Sequence, residues 1–189
     1  ECGPMFFQNI QNNMPNHLVY VPYITLKHHW MISKFYNMND LQCNWQNPAL
    51  TNPEFSDASL HSQSYAAMSA FMGAPTCFML TQLLKPEEKQ ELAKIIGIYK
   101  ENRNEIFESF VFPIGEEPNK SSWTGFQIYH PGKKSGYLMV FRELHNQQSS
   151  QKIKLRFLNN CKLKINDLEH PESPIEENID KDGAVELLI

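Results

Sequence analysis

Cysteine is scarce and scattered. The four residues at positions 2, 43, 77 and 161 make no CxxC and no pair close enough for a metal knuckle, which excludes a zinc-ribbon scaffold and a dithiol redox motif. Buried free thiols in a reducing or disulfide-indifferent setting are the expectation. Basic charge is not in excess either. The chain has 17 Lys and Arg against 21 Asp and Glu, a formal net charge of −4, and its pI is about 6.0. A nucleic-acid binder needs a basic patch or arm, and neither half supplies one. Residues 1–107 hold 7 basic and 9 acidic side chains, and residues 108–189 hold 10 and 12. No apolar run approaches the ~20 residues of a membrane span, and no secretory leader is recognisable. No self-sufficient catalytic motif stands in the 189 residues.

What is present suits one domain or two small ones. With 41% hydrophobic residues a core of ordinary size is available. Aromatics reach 12%, which fits a well-packed core and a sugar-handling surface equally. The most biased stretch, residues 167–182, carries seven acids and one Lys and reads as a solvated loop. The chain opens without Met directly into a strand-like run and stops inside another, so a fragment of a longer protein is expected.

In chain order, Met5-Phe-Phe-Gln-Asn9 reads as a buried strand running into an amide-rich loop of Gln8, Asn9, Gln11, Asn12 and Asn13. Pro22 to Tyr36 reads as a helix with Pro in its first turn and Tyr23, Leu26 and Trp30 along one stripe. His28 and His29 are adjacent, so they point about 100° apart and cannot share a metal; no metal or other cofactor is expected. Leu41, Cys43 and Trp45 alternate in a short strand, with the Asn47-Pro48 and Asn52-Pro53 turns after it. Trp45, at the strand's end, offers either a flat face for a pyranose or a core ring. Ser62 to Leu84 is small and apolar. It reads as a helix broken at Gly73-Ala-Pro75, or as a helix or strand ending at Gly73 with a new helical segment after it. Lys85 to Phe107 is the clearest helix. Pro86 takes the first position, Glu87 and Glu88 complement the dipole, and Leu92, Ile95, Ile96, Tyr99, Arg103 and Ile106 trace one face.

From Phe110 the period changes to two. Trp123, Gly125, Gln127 and Tyr129 alternate with Thr124, Phe126 and Ile128. Tyr137, Met139 and Phe141 follow after a hairpin loop at residues 130–136. Ile153, Leu155 and Phe157 alternate with Lys152, Lys154 and Arg156 as a half-buried strand, Leu163 and Ile165 continue, and Val185 and Leu187 close. Five or six short strands separated by polar turns indicate an antiparallel sandwich.

At the change of period the sequence becomes specific. Pro113-Ile-Gly-Glu-Glu-Pro118, Ser122-Trp-Thr-Gly-Phe-Gln127 and Ser135-Gly-Tyr-Leu-Met-Val-Phe-Arg-Glu-Leu144 resemble the C-terminal part of bacterial α-galactosidase-like glycoside hydrolases, the melibiase clan of retaining barrel enzymes. Asn16-His-Leu18, Tyr23 to Phe35 and Tyr99 to Phe107 fit the same pattern. The resemblance runs over roughly residues 3–160 and implies an α+β fragment. Residues 1–109 would be the last strands and helices of a (β/α)8 barrel, and residues 110–189 the antiparallel β-sandwich that follows it, truncated at its end.

The resemblance also implies a chemistry. A carboxylate nucleophile and a carboxylic acid/base stand about 5–5.5 Å apart across a terminal α-linked sugar, with no metal. The nucleophile belongs to an earlier barrel strand, which these residues do not include. The acid/base belongs to the segment like Phe6 to Asn13, where the family carries an Arg and then an Asp. This chain has Ile10 and Asn13 at those places, and an amide cannot donate a proton as a carboxylic acid does. Two expectations therefore stand together. One is a fragment of a hydrolase whose pocket wall includes Gln8, Asn9, Asn13, His17 and Trp45, inactive by itself. The other is a catalytically degenerate carbohydrate-binding or scaffold member of the same family. A free-standing interaction domain is a third. Glu116, Glu117 and Glu143 read as structural or exposed, and Asp40, Glu54 and Asp57 match no motif. The expected partners are a carbohydrate and the rest of the barrel, with no nucleic acid and no membrane. The compartment is not legible.

Overall fold

The structure is a computed structural model, and it describes residues 5–6, 20–171 and 174–188. The first part is a three-stranded parallel sheet with helices. Strand β1 (Met5–Phe6) pairs with β2 (Leu41–Gln46), and β2 pairs with β3 (Ala74–Phe78). Helix α1 (Pro22–Ile32) lies between β1 and β2, and α2 (Gln63–Met68) between β2 and β3. Among the described residues the parallel strands form an open sheet, not a closed barrel.

Local chemistry explains the helix boundaries. Helix α1 has Pro22 in its first turn and buries Leu26 and Trp30, but it stops at Ile32, four residues short of the expected Tyr36. The Ser33 hydroxyl donates to the carbonyl of Trp30 at 2.8 Å, a local bond that competes with helix continuation. Helix α2 starts at Ser62, whose Oγ accepts from the amide of Tyr65, as an N-cap residue does. The long helix α3 (Pro86–Phe107) follows. The Glu88 carboxylate reaches back to accept from the Lys85 amide at 2.7 Å, satisfying a donor the helix cannot. Leu92, Ile95 and Ile106 are buried, each worth roughly 1.5–3 kcal/mol of apolar burial. At the other end, the Asn39 side-chain amide donates to the carbonyls of Ile106, Phe107 and Ser109, capping α3 from 67 residues away.

The segment after Gly73 corrects the sequence reading. It is strand β3, not a new helical segment. Pro75 pushes the residue before it to extended backbone, and β2 supplies a parallel neighbour with Cys43 opposite Pro75. Gly73 is required by close approach: a Cβ there would stand 2.7 Å from both Cys43 Sγ and the Met38 carbonyl oxygen.

Among the described residues seven antiparallel strands follow, rather than five or six. β4 (Phe110–Gly115), β5 (Trp123–His130) and β6 (Ser135–Arg142) form one meander. β7 (Ser150–Lys154) pairs with β10 (Ala184–Leu188), and β8 (Cys161–Ile165) pairs with β9 (Ile175–Ile179). Strand β9 lies inside the acidic stretch expected to be a loop; Glu176 stands opposite Lys164 of β8, a cross-strand pair of opposite charge. Strand β7 ends at Lys154, so Phe157 is not on the strand; it is 64% exposed.

The meander is two-faced. Val111, Phe126, Ile128 and Phe141 join the core that holds Leu26, Trp45, Phe71 and Ile95. Ile114 and Trp123 join a second core with Ile153, Leu155, Ile179 and Val185, with Leu138 and Val140 packed against it. The alternation of strand side chains puts each set on its own face. Of the described cysteines only Cys43 is buried; Cys77 is exposed and Cys161 half-buried, so the expectation of buried thiols holds for one of them.

Candidate functional site

The parallel sheet separates apolar from amide side chains. Along β2, Leu41, Cys43 and Trp45 belong to the hydrophobic core. Gln42, Asn44 and Gln46 alternate with them and so line the opposite face. On β3, Thr76 lies beside Asn44, and its hydroxyl accepts from Gln42 Nε2 at 2.6 Å. Parallel strands are normally apolar on both faces. Here one face is built of amides and a hydroxyl.

Asn44 is the exceptional member. It is buried, yet neither Oδ1 nor Nδ2 has a hydrogen-bond partner among the described residues. An unmet buried amide costs on the order of 1–3 kcal/mol, so its retention needs a reason beyond packing. An amide both donates and accepts, which matches a sugar hydroxyl. The next turn is buried too. Gln63 Nε2 donates to Asn47 Oδ1 at 3.2 Å and more weakly to Glu88 Oε1 at 3.4 Å, while Gln63 Oε1 has no partner among the described residues. The Ser64 amide donates to Glu91 at 2.8 Å. The chain after β2 is thus pinned to the start of α3, at the C-terminal end of the strand.

Trp45 sits on the core side of β2. It is 5% exposed and meets Phe71 edge-on with centroids 5.8 Å apart. Phe71 in turn stacks on Tyr99 of α3 at 4.6 Å. The Trp45 indole N–H is buried without a partner among the described residues, and the Trp45 ring offers no free face to a sugar. Gln8, Asn9, Asn13 and His17, and Ile10 with them, lie outside the described residues.

Several other titratable groups make structural contacts. His29 is buried, its Nδ1 bonds the Ser69 carbonyl at 2.7 Å, and burial lowers it to about 4. Among the described residues no group of three or more His, Cys, Asp or Glu could hold a metal ion. Glu117 pairs with Lys27 at 2.8 Å, and Asp57 with Lys120 at 3.1 Å. The Glu143 Oε2 accepts from the Asn119 amide, the Ser122 amide and the Ser122 hydroxyl. Its other oxygen, the Tyr65 hydroxyl and Asp57 Oδ1 are buried without partners among the described residues. Burial first, and then the charge of Glu143, raises Tyr65 far above an ordinary phenol.

No family model matches the chain, and no curated protein matches it in sequence. Solved structures do match it. The galactosidase domain of the α-galactosidase–sucrose kinase AgaSK superposes with a TM-score of 0.64 at 16% identity, over 91% of this chain and 24% of that one. A variant of the GH36 α-galactosidase AgaA from Geobacillus stearothermophilus, in complex with 1-deoxygalactonojirimycin, gives 0.61 at 13% identity, over 92% and 24%. A further variant of the same enzyme, in complex with raffinose, gives the same values. The fold resembles one quarter of an α-galactosidase chain. The likeness spans the parallel sheet and the antiparallel layers together. Among the described residues no helix is long and apolar enough to cross a membrane.

Proposed function

We propose that this chain belongs to a retaining α-galactosidase-like glycoside hydrolase acting on terminal α-linked sugars. Residues 1–109 are the last strands and helices of its (β/α)8 barrel, and residues 110–189 its β-sandwich. The observation that carries this reading is the fold likeness over 91–92% of the chain. The amide face of β2, with Asn44 unpartnered, supports placing a sugar over that side of the sheet, because barrel enzymes hold substrate at the C-terminal ends of their strands. Gln8, Asn9, Asn13 and His17 stay in the proposed sugar-binding set, with Asn44 added, while Trp45, packed on the opposite, core face of β2, leaves it. The nucleophile comes from the remainder of the barrel.

A second reading is a degenerate member that binds sugar without turnover. It is favoured by Ile10 and Asn13, which leave the segment without a proton donor. One experiment separates the two. The full-length protein is assayed with an aryl α-galactoside, and product anomers are followed by NMR. Turnover with retention supports the hydrolase. Saturable raffinose binding without aryl release supports the degenerate member. Neither turnover nor binding overturns both.

A further inference from the structure

The open edge of the antiparallel layers carries a second arrangement that the reading above does not use. Gln127 of β5 is buried, and both ends of its side-chain amide hold the backbone of one residue, Arg156. Its Nε2 donates to the Arg156 carbonyl at 2.9 Å, and its Oε1 accepts from the Arg156 amide at 2.7 Å. The next residue, Phe157, has φ +64°, a conformation that a bulky side chain rarely adopts. The clamp and the turn aim the ring outward. It stacks on Tyr129 with centroids 5.5 Å apart and planes 19° from parallel, and it meets Phe112 at 5.2 Å. The Arg156 guanidinium lies over Phe112 at 5.4 Å. Beside the ledge runs a cleft of about 690 Å³ whose lining includes Glu116, Gln151, Lys154, Arg156, Phe157 and Asn159.

We propose that this ledge is a carbohydrate-binding surface separate from the amide face of β2, holding one sugar unit of an oligosaccharide or polysaccharide. A pyranose has an apolar C–H face and a rim of hydroxyls. The ledge has an exposed ring with a rim of guanidinium, ammonium, amide and carboxylate groups, which can serve both parts at once. The cleft is within the ~300–1,000 Å³ of small-ligand sites. The exposed aromatic area argues against a protein partner. An aromatic side chain presents ~150–250 Å² in full, Phe157 is 64% and Phe110 51% exposed, and Phe112 and Tyr129 are partly covered. Together they offer on the order of 400 Å², about half of what each partner of a stable protein interface buries.

The test is native affinity electrophoresis of the intact protein in gels containing galactomannan, β-glucan, xylan or no polysaccharide. Phe157→Ala and Phe157→Gly are run beside it. Glycine adopts the positive φ at no steric cost, so this variant removes the ring without burdening the turn. Retardation of the parent in at least one gel, weakened by roughly tenfold or more in both variants, is the expected result. Absence of retardation in every gel, or variants that migrate as the parent does, would overturn the proposal. So would sedimentation showing that the parent self-associates and Phe157→Gly does not, since the ledge would then join copies of the chain. Aryl α-galactoside turnover reads the other surface and is expected to be unchanged in both variants. A failure of turnover therefore leaves this test standing.

Discussion

Glu143 closes the loop between β4 and β5, and its removal has a calculable cost. The loop holds Lys120 at φ +80°, a strained conformation that surrounding bonds must maintain. The Glu143 Oε2 receives three donors: the Asn119 amide at 2.8 Å, the Ser122 amide at 3.0 Å and the Ser122 hydroxyl at 2.6 Å. Ser122 is fully buried and Asn119 exposed. In Glu143→Ala, water can reach the Asn119 amide, but both Ser122 donors lose their acceptor. At ~1–3 kcal/mol for each buried donor left unmet, with some lost packing, the variant loses about 3–5 kcal/mol. In Glu143→Gln the amide oxygen takes the place of Oε2 and keeps all three donors. The charge-assisted part of each bond is lost, but so is the cost of burying a charge, and the net change is expected to stay within ~1 kcal/mol. Urea denaturation followed by tryptophan fluorescence measures both variants. In a thermal scan the Ala change corresponds to a drop on the order of 10 °C. An Ala variant within 0.5 kcal/mol of the parent, or a Gln variant as damaged as Ala, would refute the reasoning.

Other outcomes follow from single residues. His29, lowered by burial to about 4 from 6.5, is neutral when folded; its contribution is fully present above pH 6.5 and is lost as pH falls toward 4, by about 3 kcal/mol at ~1.36 kcal/mol per unit. Burial lowers His28 and His61 as well, so His29→Gln should reduce, not abolish, the slope of urea midpoint against pH over that window; an unchanged slope would refute the assignment. Gly97 lies in α3 with open space where a Cβ would go, and Gly97→Ala should raise stability by ~0.5–1 kcal/mol. A Cβ on Gly125 would overlap the Met139 carbonyl oxygen of β6, so Gly125→Ala should lower the melting point; equal melting points for the two variants would contradict the packing described. Asn44→Leu removes two unmet buried polar atoms, so it should leave stability unchanged or raise it by ~1–3 kcal/mol, while weakening raffinose binding by the full-length protein. A stability loss without a binding loss would make Asn44 a structural residue.

Local patterns predicted the local elements. Helix α3 matched its expected start because Pro86 and Glu88 act within one turn, and the β5–β6 hairpin because the alternation and its polar loop are contiguous. Three features depended on distant neighbours. A short apolar run such as Ala74 to Phe78 carries no period that tells strand from helix, and it became β3 because β2 lay beside it. The charges of residues 167–182 suggest a loop, while Lys164, the partner that faces Glu176 of β9, is on β8. The alternation of Ile153 and Leu155 predicts Phe157 on the same strand, but Gln127 and Gly183 intervene: the Leu155 amide donates to the Gly183 carbonyl, and the Gln127 clamp turns the chain at Arg156. Asn44 did leave a signal. Gln42, Asn44 and Gln46 put an amide at every second position of a strand buried on both faces, a pattern that composition does not reveal.

The change of period at Phe110 marks a change of structure but not a gap in packing. Val111, Phe126, Ile128 and Phe141 of the β4–β6 meander belong to the first core, and Ile114 and Trp123 to the second. Side-chain bonds cross the same boundary: the Trp30 indole donates to the Ile114 carbonyl at 3.0 Å, and the Val111 amide donates to Asn37. Tyr137 donates to Glu105 of α3 at 2.7 Å, which lowers the carboxyl of Glu105 below the usual range. Cutting the chain at 109/110 would therefore expose the apolar inner face of the meander and, on the other side, the faces of α1 and α3 that it covers. Linkers between independent domains lie where few contacts cross, and this junction is the opposite case. The meander is a shared wall, and its stability is available to both cores. A mutation in one core, such as Phe126→Ala at an expected cost of ~3–5 kcal/mol, should consequently shift the unfolding of both layers together.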